Sequence, residues 1–232
     1  MHDVVIVSAW HRADCLRKCL DALLAARGIE NKEVWVYHNL RWDEGVDIEP
    51  VRKLLKQYPF KVVAHSFSDK YKVAGWMWSH WNAWNDVYNS GANFGYFFSD
   101  DVVCTPDFFE WHEAVQADGD WFGSTAWRNP QGNKKAFDAE AYYQISFPNE
   151  ISMGLCLKRD SIKIALQSPP DWCPQERMLA ESWKIVMPYV QRCYHIGLQS
   201  SNIGSKPEPR AAVDELPNPI PDYGRQAVIL KP

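Results

Sequence analysis

A hydrophobic run delivers two neighbouring acids in Tyr96-Phe97-Phe98-Ser99-Asp100-Asp101. Adjacent ionised carboxylates repel each other unless water or a cation stands beside them. Their hard oxygens suit Mg2+ or Mn2+, which in turn can bridge phosphate oxygens of a nucleotide. The same residues also read as a pair that simply caps a strand and turns the chain. Further on, His195 stands beside Gly197, with Ser200 and Ser201 close behind, in a backbone-rich loop suited to phosphate. His11, Cys15 and Cys19 share one helical face. They read as metal ligands or, more simply, as small buried thiols behind a surface histidine.

The elements that must position these groups follow from periodicity. Residues 3–9 (DVVIVSA) form a continuous β-branched run, the mark of a strand buried on both faces. Ala13 to Ala26 reads as a helix with Leu16, Leu20, Leu23 and Leu24 in one stripe and Gly28 as its stop. Glu33 to His38 is a second strand, so the β-α-β order predicts a parallel pair. A short helix over Glu49–Gln57, a strand over Phe60–His65 and a tryptophan-heavy helix over Lys72–Asn89 come next. Phe94 to Phe98 is a fully buried strand that ends in the acid pair. A helix follows over Pro106–Val115, with Thr105 as N-cap and Pro106 at its first position. Trp121–Trp127 and Glu150–Lys158 read as strands and Pro174–Ile185 as a helix. The stretch Lys206–Asp222 is proline-rich, so residues 206–232 read as a tail or lid and 1–205 as one domain. Open α/β sheets bind ligands beyond the carboxyl ends of their strands. That rule puts Ala9–Arg12, His38–Trp42 and Ser99–Val103 on one rim.

Composition narrows the partners. At 46% hydrophobic residues over 232 positions the chain can bury a proper core, and a net charge of −4 gives no extended basic footprint for nucleic acid. Val4–Val7 is too short for a signal or membrane span, and no long apolar run follows. The six cysteines lack C-x-x-C spacing, so a reducing, cytoplasmic setting with free thiols is the simplest expectation. The twelve tryptophans serve as core filler or as stacking platforms. For Trp76, Trp78, Trp81 and Trp84, on a helix apolar on most sides, core packing is the stronger reading.

The segment Ser99-Asp100-Asp101-Val102-Val103-Cys104-Thr105-Pro106-Asp107-Phe108-Phe109 resembles the metal-binding stretch of GT-A glycosyltransferases. Its closest likeness is to the N-acetylglucosaminyltransferase I family, in which an acidic triplet precedes a short apolar link, proline, aspartate and two phenylalanines. The resemblance runs in order over about residues 3–205. It implies an open mixed α/β sheet flanked by helices, a Rossmann-like nucleotide-sugar-binding fold. It gives Asp101 the metal, with Asp100 among the donor-binding residues, while Ser99 departs from the usual acid. Val5–Arg12 resembles the family's first strand and turn, which makes Arg12 a candidate for the base or diphosphate. Asn39 stands where relatives use an acid to read uracil, and an amide can both donate and accept there. Pro188–Ser201 resembles the late strand and His-x-Gly loop, where the histidine completes the metal site or touches the diphosphate; this implicates His195. Gly154 falls where relatives present a wall to the donor sugar. In inverting relatives an acid opening a late helix takes the acceptor's proton. The matching residue is Glu176, with Asp171 and Glu181 in reserve; Trp127 and Asn129 are placed to meet the acceptor.

The function implied is transfer of a hexosyl or N-acetylhexosaminyl group from a UDP-sugar to a glycan hydroxyl, with Mn2+ or Mg2+ and inversion. Three alternatives share parts of this pattern. One is the same chemistry on a hydroxymethylated base in DNA. Another is a nucleotide-sugar nucleotidyltransferase, which needs a glycine-rich loop where Ser8–Asp14 has no glycine. The third is a non-catalytic sugar- or nucleotide-binding module.

Overall fold

The computed structural model of the chain describes residues 2–40, 46–65, 75–127, 142–145, 153–167, 185–188, 190–197 and 214–223. The amino-terminal half alternates β1 (Asp3–Ala9), α1 (Ala13–Ala25), β2 (Lys32–Asn39), α2 (Glu49–Leu55), β3 (Lys61–His65), α3 (Gly75–Ser90) and β4 (Phe94–Ser99). Strand β1 pairs in parallel with β2 on one side and β4 on the other, and β2 pairs in parallel with β3. The predicted parallel β-α-β unit is therefore present.

Burial on both faces explains the unbroken apolar runs. Val5, Val7, Val34, Val36, Tyr96 and Phe98 face one core, with Leu16, Leu20 and Leu23 of α1. The alternate residues Val4, Ile6, Trp35, Tyr37 and Phe97 face a second core, with Ala83, Trp84 and Val87 of α3. Trp84 packs on Phe97 with ring centroids 4.7 Å apart, as the core reading of that helix expects. The side chains of Trp76 and Trp78 lie outside the described residues.

Beyond β4 come β5 (Val102–Cys104), α4 (Phe108–Asp118), β6 (Gly123–Thr125), β7 (Tyr142–Ile145), β8 (Met153–Lys158), α5 (Arg159–Ala165), β9 (Ile185–Pro188) and β10 (Cys193–His195). Among the described residues eight strands form one mixed sheet in the order β3-β2-β1-β4-β8-β6-β9-β7, and β10 pairs with β5 in a second, two-stranded sheet. Strands β5, β7, β9 and β10 and helix α5 have no counterpart in the periodicity reading. At three to seven residues each they are too short to show a period. The helix expected over Pro174–Ile185 lies outside the described residues except for Ile185. That residue instead opens β9, held parallel to β6 by the pairing of Ile185 with Gly123.

Helix α4 also departs from expectation. It starts at Phe108 rather than Pro106, and Thr105 does not cap it. The Thr105 hydroxyl donates to the Arg192 carbonyl at 3.2 Å, and the Thr105 amide donates to the same oxygen at 2.9 Å. Asp107 is the residue before the first turn, but its carboxylate is spent on Arg192 Nε at 2.9 Å. Both side chains are almost completely buried, at 0% and 2% exposure. Removing one partner of such a pair strands the other charge away from water. Asp107→Ala is therefore expected to lower the unfolding free energy by about 3–5 kcal/mol, measured by urea denaturation. A loss below the reach of that measurement would show the pair to be dispensable.

Residues 214–223, within the segment expected as a tail or lid, dock on the body of the molecule. Leu216 and Ile220 pack against the first core, and Asp222 pairs with Arg27 at 2.6 Å. The Tyr223 ring lies 4.7 Å from the Arg192 guanidinium carbon. Among the described residues no helix is long and apolar enough to cross a membrane.

Candidate functional site

Strands β1 and β4 run side by side, Ser8 opposite Ser99, and the chain leaves both at the same rim. The Asp100 amide donates to the Ser8 carbonyl at 2.9 Å, so the acid pair starts as a continuation of the ladder. The Ile196 amide donates to the Asp101 carbonyl at 2.8 Å, which brings the end of β10 against it. Main-chain hydrogen bonds thus pin the acids on two sides before any side chain is considered.

Four side chains then converge. The Arg12 fork spans both acids: Nη1 donates to Asp101 Oδ2 at 2.6 Å and Nη2 to Asp100 Oδ1. His195 Nε2 stands 3.1 Å from the same Asp101 oxygen, although the two residues are 94 apart in the chain. Gly197 lies so close that a Cβ there would fall well inside contact distance of Asp101 Oδ2 and 2.9 Å from Arg12 Nη1. The glycine of the His-x-Gly stretch is required by this approach rather than by its own backbone angles.

Burial and charge oppose each other in this cluster. Burial pushes the Asp100 carboxyl up, Arg12 pulls it down, and the balance is about 6. For Asp101 burial also acts upward, but the His195 hydrogen bond and Arg12 win and hold it below the ordinary carboxylate value. Burial would lower His195, yet its bond to Asp101 raises it. Arg12 is likewise raised, the two carboxylates outweighing its burial.

The raised His195 stabilises the fold in full below pH 6.5, and that contribution is lost as pH climbs through its folded value. The depressed Asp101 contributes above its unfolded value of 3.8, and loses this as pH falls. In metal-free buffer, His195→Gln is expected to destabilise the protein more at pH 6 than at pH 9 by urea unfolding. Equal losses at both would mean that the pair carries no charge.

The spacing along one edge of this cluster matches adjacent ligands of a cation, on an Asp101 oxygen that Arg12 Nη1 also holds at 2.6 Å. Adjacent donors around an octahedral ion with ~2.1 Å bonds stand about 3.0 Å apart. Asp101 Oδ2 and His195 Nε2, a carboxylate oxygen and an imidazole nitrogen, have that spacing. The other ring nitrogen, His195 Nδ1, is buried and has no hydrogen-bond partner among the described residues. Among the described residues no three His, Cys, Asp or Glu side chains gather as a ligand set.

Other sequence candidates are placed differently. Asn39 closes β2 on the same rim, one strand over from β1. Gly154 has φ +66°, and a Cβ on it would meet Phe108 at 2.9 Å, with Ala126 and Cys193 at 3.1 Å. Core packing and a left-handed backbone therefore already account for glycine there. Trp127 is 1% exposed, and its Nε1–H donates to Asp214 Oδ2 at 2.9 Å, so it is a core residue rather than an open platform. Cys19, on the buried face of α1, is fully buried, which fits a packed thiol better than a ligand. Glu176, Asp171, Glu181 and Asn129 lie outside the described residues.

Two groups near the site had no role assigned from the sequence, although His38 was placed on the rim as the end of a strand. His38 Nε2 stands 3.0 Å from the Trp10 carbonyl and ties β2 to the turn that carries Arg12; burial lowers its pKa. Asp214 reaches His195 from a proline-rich stretch without periodicity. Its Oδ2 accepts the His195 amide at 2.8 Å. Only the folded chain brings these together.

No protein-family model matches the sequence. No curated protein matches it either. Solved structures do. A mannosyltransferase from Pyrobaculum calidifontis, PcManGT, in complex with GDP-Man and Mn2+, superposes with a TM-score of 0.55 at 15% identity, covering 85% of this chain and 58% of that one. Residues 1–349 of S. aureus TarS in complex with UDP-GlcNAc superpose with a TM-score of 0.58 at 13% identity, covering 89% of this chain and 61% of that one. The chain thus spans about three fifths of the length of either. These likenesses establish the fold: a mixed α/β sheet flanked by helices, of the GT-A, Rossmann-like type. They do not single out the N-acetylglucosaminyltransferase I family.

Proposed function

We propose that the chain is a nucleotide-sugar-dependent glycosyltransferase that moves a hexosyl or N-acetylhexosaminyl group from a UDP-sugar to an acceptor hydroxyl. The observation that carries this reading is the convergence of Arg12, Asp100, Asp101 and His195 at the carboxyl ends of β1 and β4 in a GT-A fold. Fold likeness alone would not fix a reaction, so the site has to supply the argument.

In this reading the diphosphate of the donor lies against the cluster. Asp101 and His195 are the residues that would hold Mn2+ or Mg2+, and His195 presents a bare nitrogen when it does. A bound cation supplies positive charge that balances the departing nucleoside diphosphate. Arg12 holds both acids, and its planar fork suits phosphate oxygens equally well, so it turns to the diphosphate when the donor arrives. Asp100, the more deeply buried acid, stays behind as the anchor that keeps Arg12 within reach. Gly197 leaves room for the main chain to approach Asp101 without a side chain intervening.

The transfer breaks the bond between the anomeric carbon and the diphosphate oxygen and forms one to the acceptor oxygen. The acceptor proton passes to a carboxylate, for which Glu176 is the choice and Asp171 the reserve, and the sugar inverts. Asn39 is assigned to the base and Gly154 to the donor side of the cleft. A glycan hydroxyl is the acceptor class.

The test is a donor screen. UDP-, GDP- and CMP-sugars are incubated with the protein and Mn2+ or Mg2+, and nucleotide release is followed with and without simple glycan acceptors. UDP release that rises with acceptor is expected. Neither release nor nucleotide binding across the panel would overturn the proposal.

A further inference from the structure

Asp214 makes three hydrogen bonds, two to the His195 main chain and one to Trp127. Its Oδ2 accepts the His195 amide at 2.8 Å, its own amide donates to the His195 carbonyl at 2.8 Å, and the same Oδ2 accepts Trp127 Nε1–H at 2.9 Å. The Trp127 indole is buried in the first core, so the carboxylate oxygen is fixed to a rigid part of the molecule. His195 is gripped through its main chain on both sides, and among the described residues its ring nitrogen Nδ1 has no hydrogen-bond partner. Among the described residues the ring is held by Asp101, 3.1 Å from Nε2.

We infer that Asp214 is a positioning residue of the site, which sets the imidazole of His195 against Asp101 by clamping the His195 main chain to Trp127. The segment 214–223 is thereby a structural part of the site rather than an appendage of it. Its far end is fastened independently: Asp222 pairs with Arg27, and Tyr223 lies over Arg192. Leu216 and Ile220 sit on the core between. A strap anchored at its far end and along its middle can hold the residue at its start against β10. A carboxylate suits the task because one oxygen can accept two N–H groups. This inference rests on the reading of His195 as a donor-site residue.

Residues that orient a metal ligand without touching the metal commonly change its affinity by ~10–100-fold when removed. The experiment therefore measures Mn2+ binding by electron paramagnetic resonance, together with the His195 imidazole signals by nitrogen-detected NMR in metal-free buffer. Asp214→Ala is expected to weaken Mn2+ binding about ten-fold and to shift the His195 signals. Asp214→Asn, which keeps an acceptor oxygen in place, is expected to restore both to near wild type.

Wild-type affinity and unshifted signals in the alanine variant would overturn the inference. So would equal losses in the alanine and asparagine variants, since charge rather than the clamp would then be responsible. Should the alanine variant not fold, Asp214→Glu carries the same test, because its extra methylene moves the oxygen out of register. A wild-type protein that binds neither Mn2+ nor nucleotide would instead count against the glycosyl-transfer reading. The NMR comparison would still decide the role of Asp214.

Discussion

Asp101→Asn is expected to reduce UDP-sugar turnover by about 10³-fold, the scale of removing one principal charge-stabilising group from a reaction centre. Asparagine keeps the shape of the side chain but removes the charge that holds Arg12 at 2.6 Å and keeps His195 close. It also takes away one of the two donors that form the cation's edge. The main-chain bonds at Asp100 and Asp101 do not involve the side chain, so the fold should survive. The check is initial-rate kinetics in metal-replete buffer, with circular dichroism to confirm folding. Full activity in the variant would remove Asp101 from the mechanism.

A single methyl group at position 197 should have nearly as large an effect. In Gly197→Ala the new Cβ would crowd Asp101 Oδ2 and stand 2.9 Å from both Asp101 Cγ and Arg12 Nη1, closer than real Cβ atoms come. Arg12 can give way at the far end of a flexible chain. Asp101 is short, buried, and pinned by the Ile196 amide, so the loop after β10 must move instead. A displacement of ~1 Å at a reacting group can cost about 10² in rate. The expected result is a fall of that size in kcat/KM with a stability loss of only ~1–3 kcal/mol, the usual cost of overpacking. Parallel kinetics and thermal unfolding would measure both. Unchanged kinetics would mean that Asp101 does not act in the position seen here.

These two positions differ in how they could be read. The acid pair was legible because a buried apolar strand, β4, runs straight into it, and few arrangements other than a ligand site or a capped turn follow such a strand. Gly197 was visible only as part of a His-x-Gly pattern. The cause of the glycine, an aspartate from a distant part of the chain, was not. For Gly154 the resemblance implies a donor wall, and the fold adds a local cause for glycine, because Phe108, Ala126 and Cys193 fill the space beside it.

The long elements followed from sequence because each carries its own signal. The β-branched run of β1, the leucine stripe of α1 and the aromatic run of β4 report burial through local spacing, and the parallel order of the first strands follows from the helices between them. The same runs put Arg12 and the acid pair on one rim. The start of α4 did not follow, because Thr105 and Asp107 bond to Arg192 instead of capping the helix.

Local spacing could not decide who meets whom at that rim; the resemblance put His195 with Asp101, and the folded chain supplied the contacts. Strands β5 and β10 have three residues each, too few to show a period, and they exist because they pair with each other. That pairing carries His195 to Asp101, and the docking of 214–223 then fixes its main chain. Periodicity is a property of neighbours in sequence, whereas a charge cluster is made by contacts across long stretches of chain, whose energies appear only once the sheets have formed and excluded water.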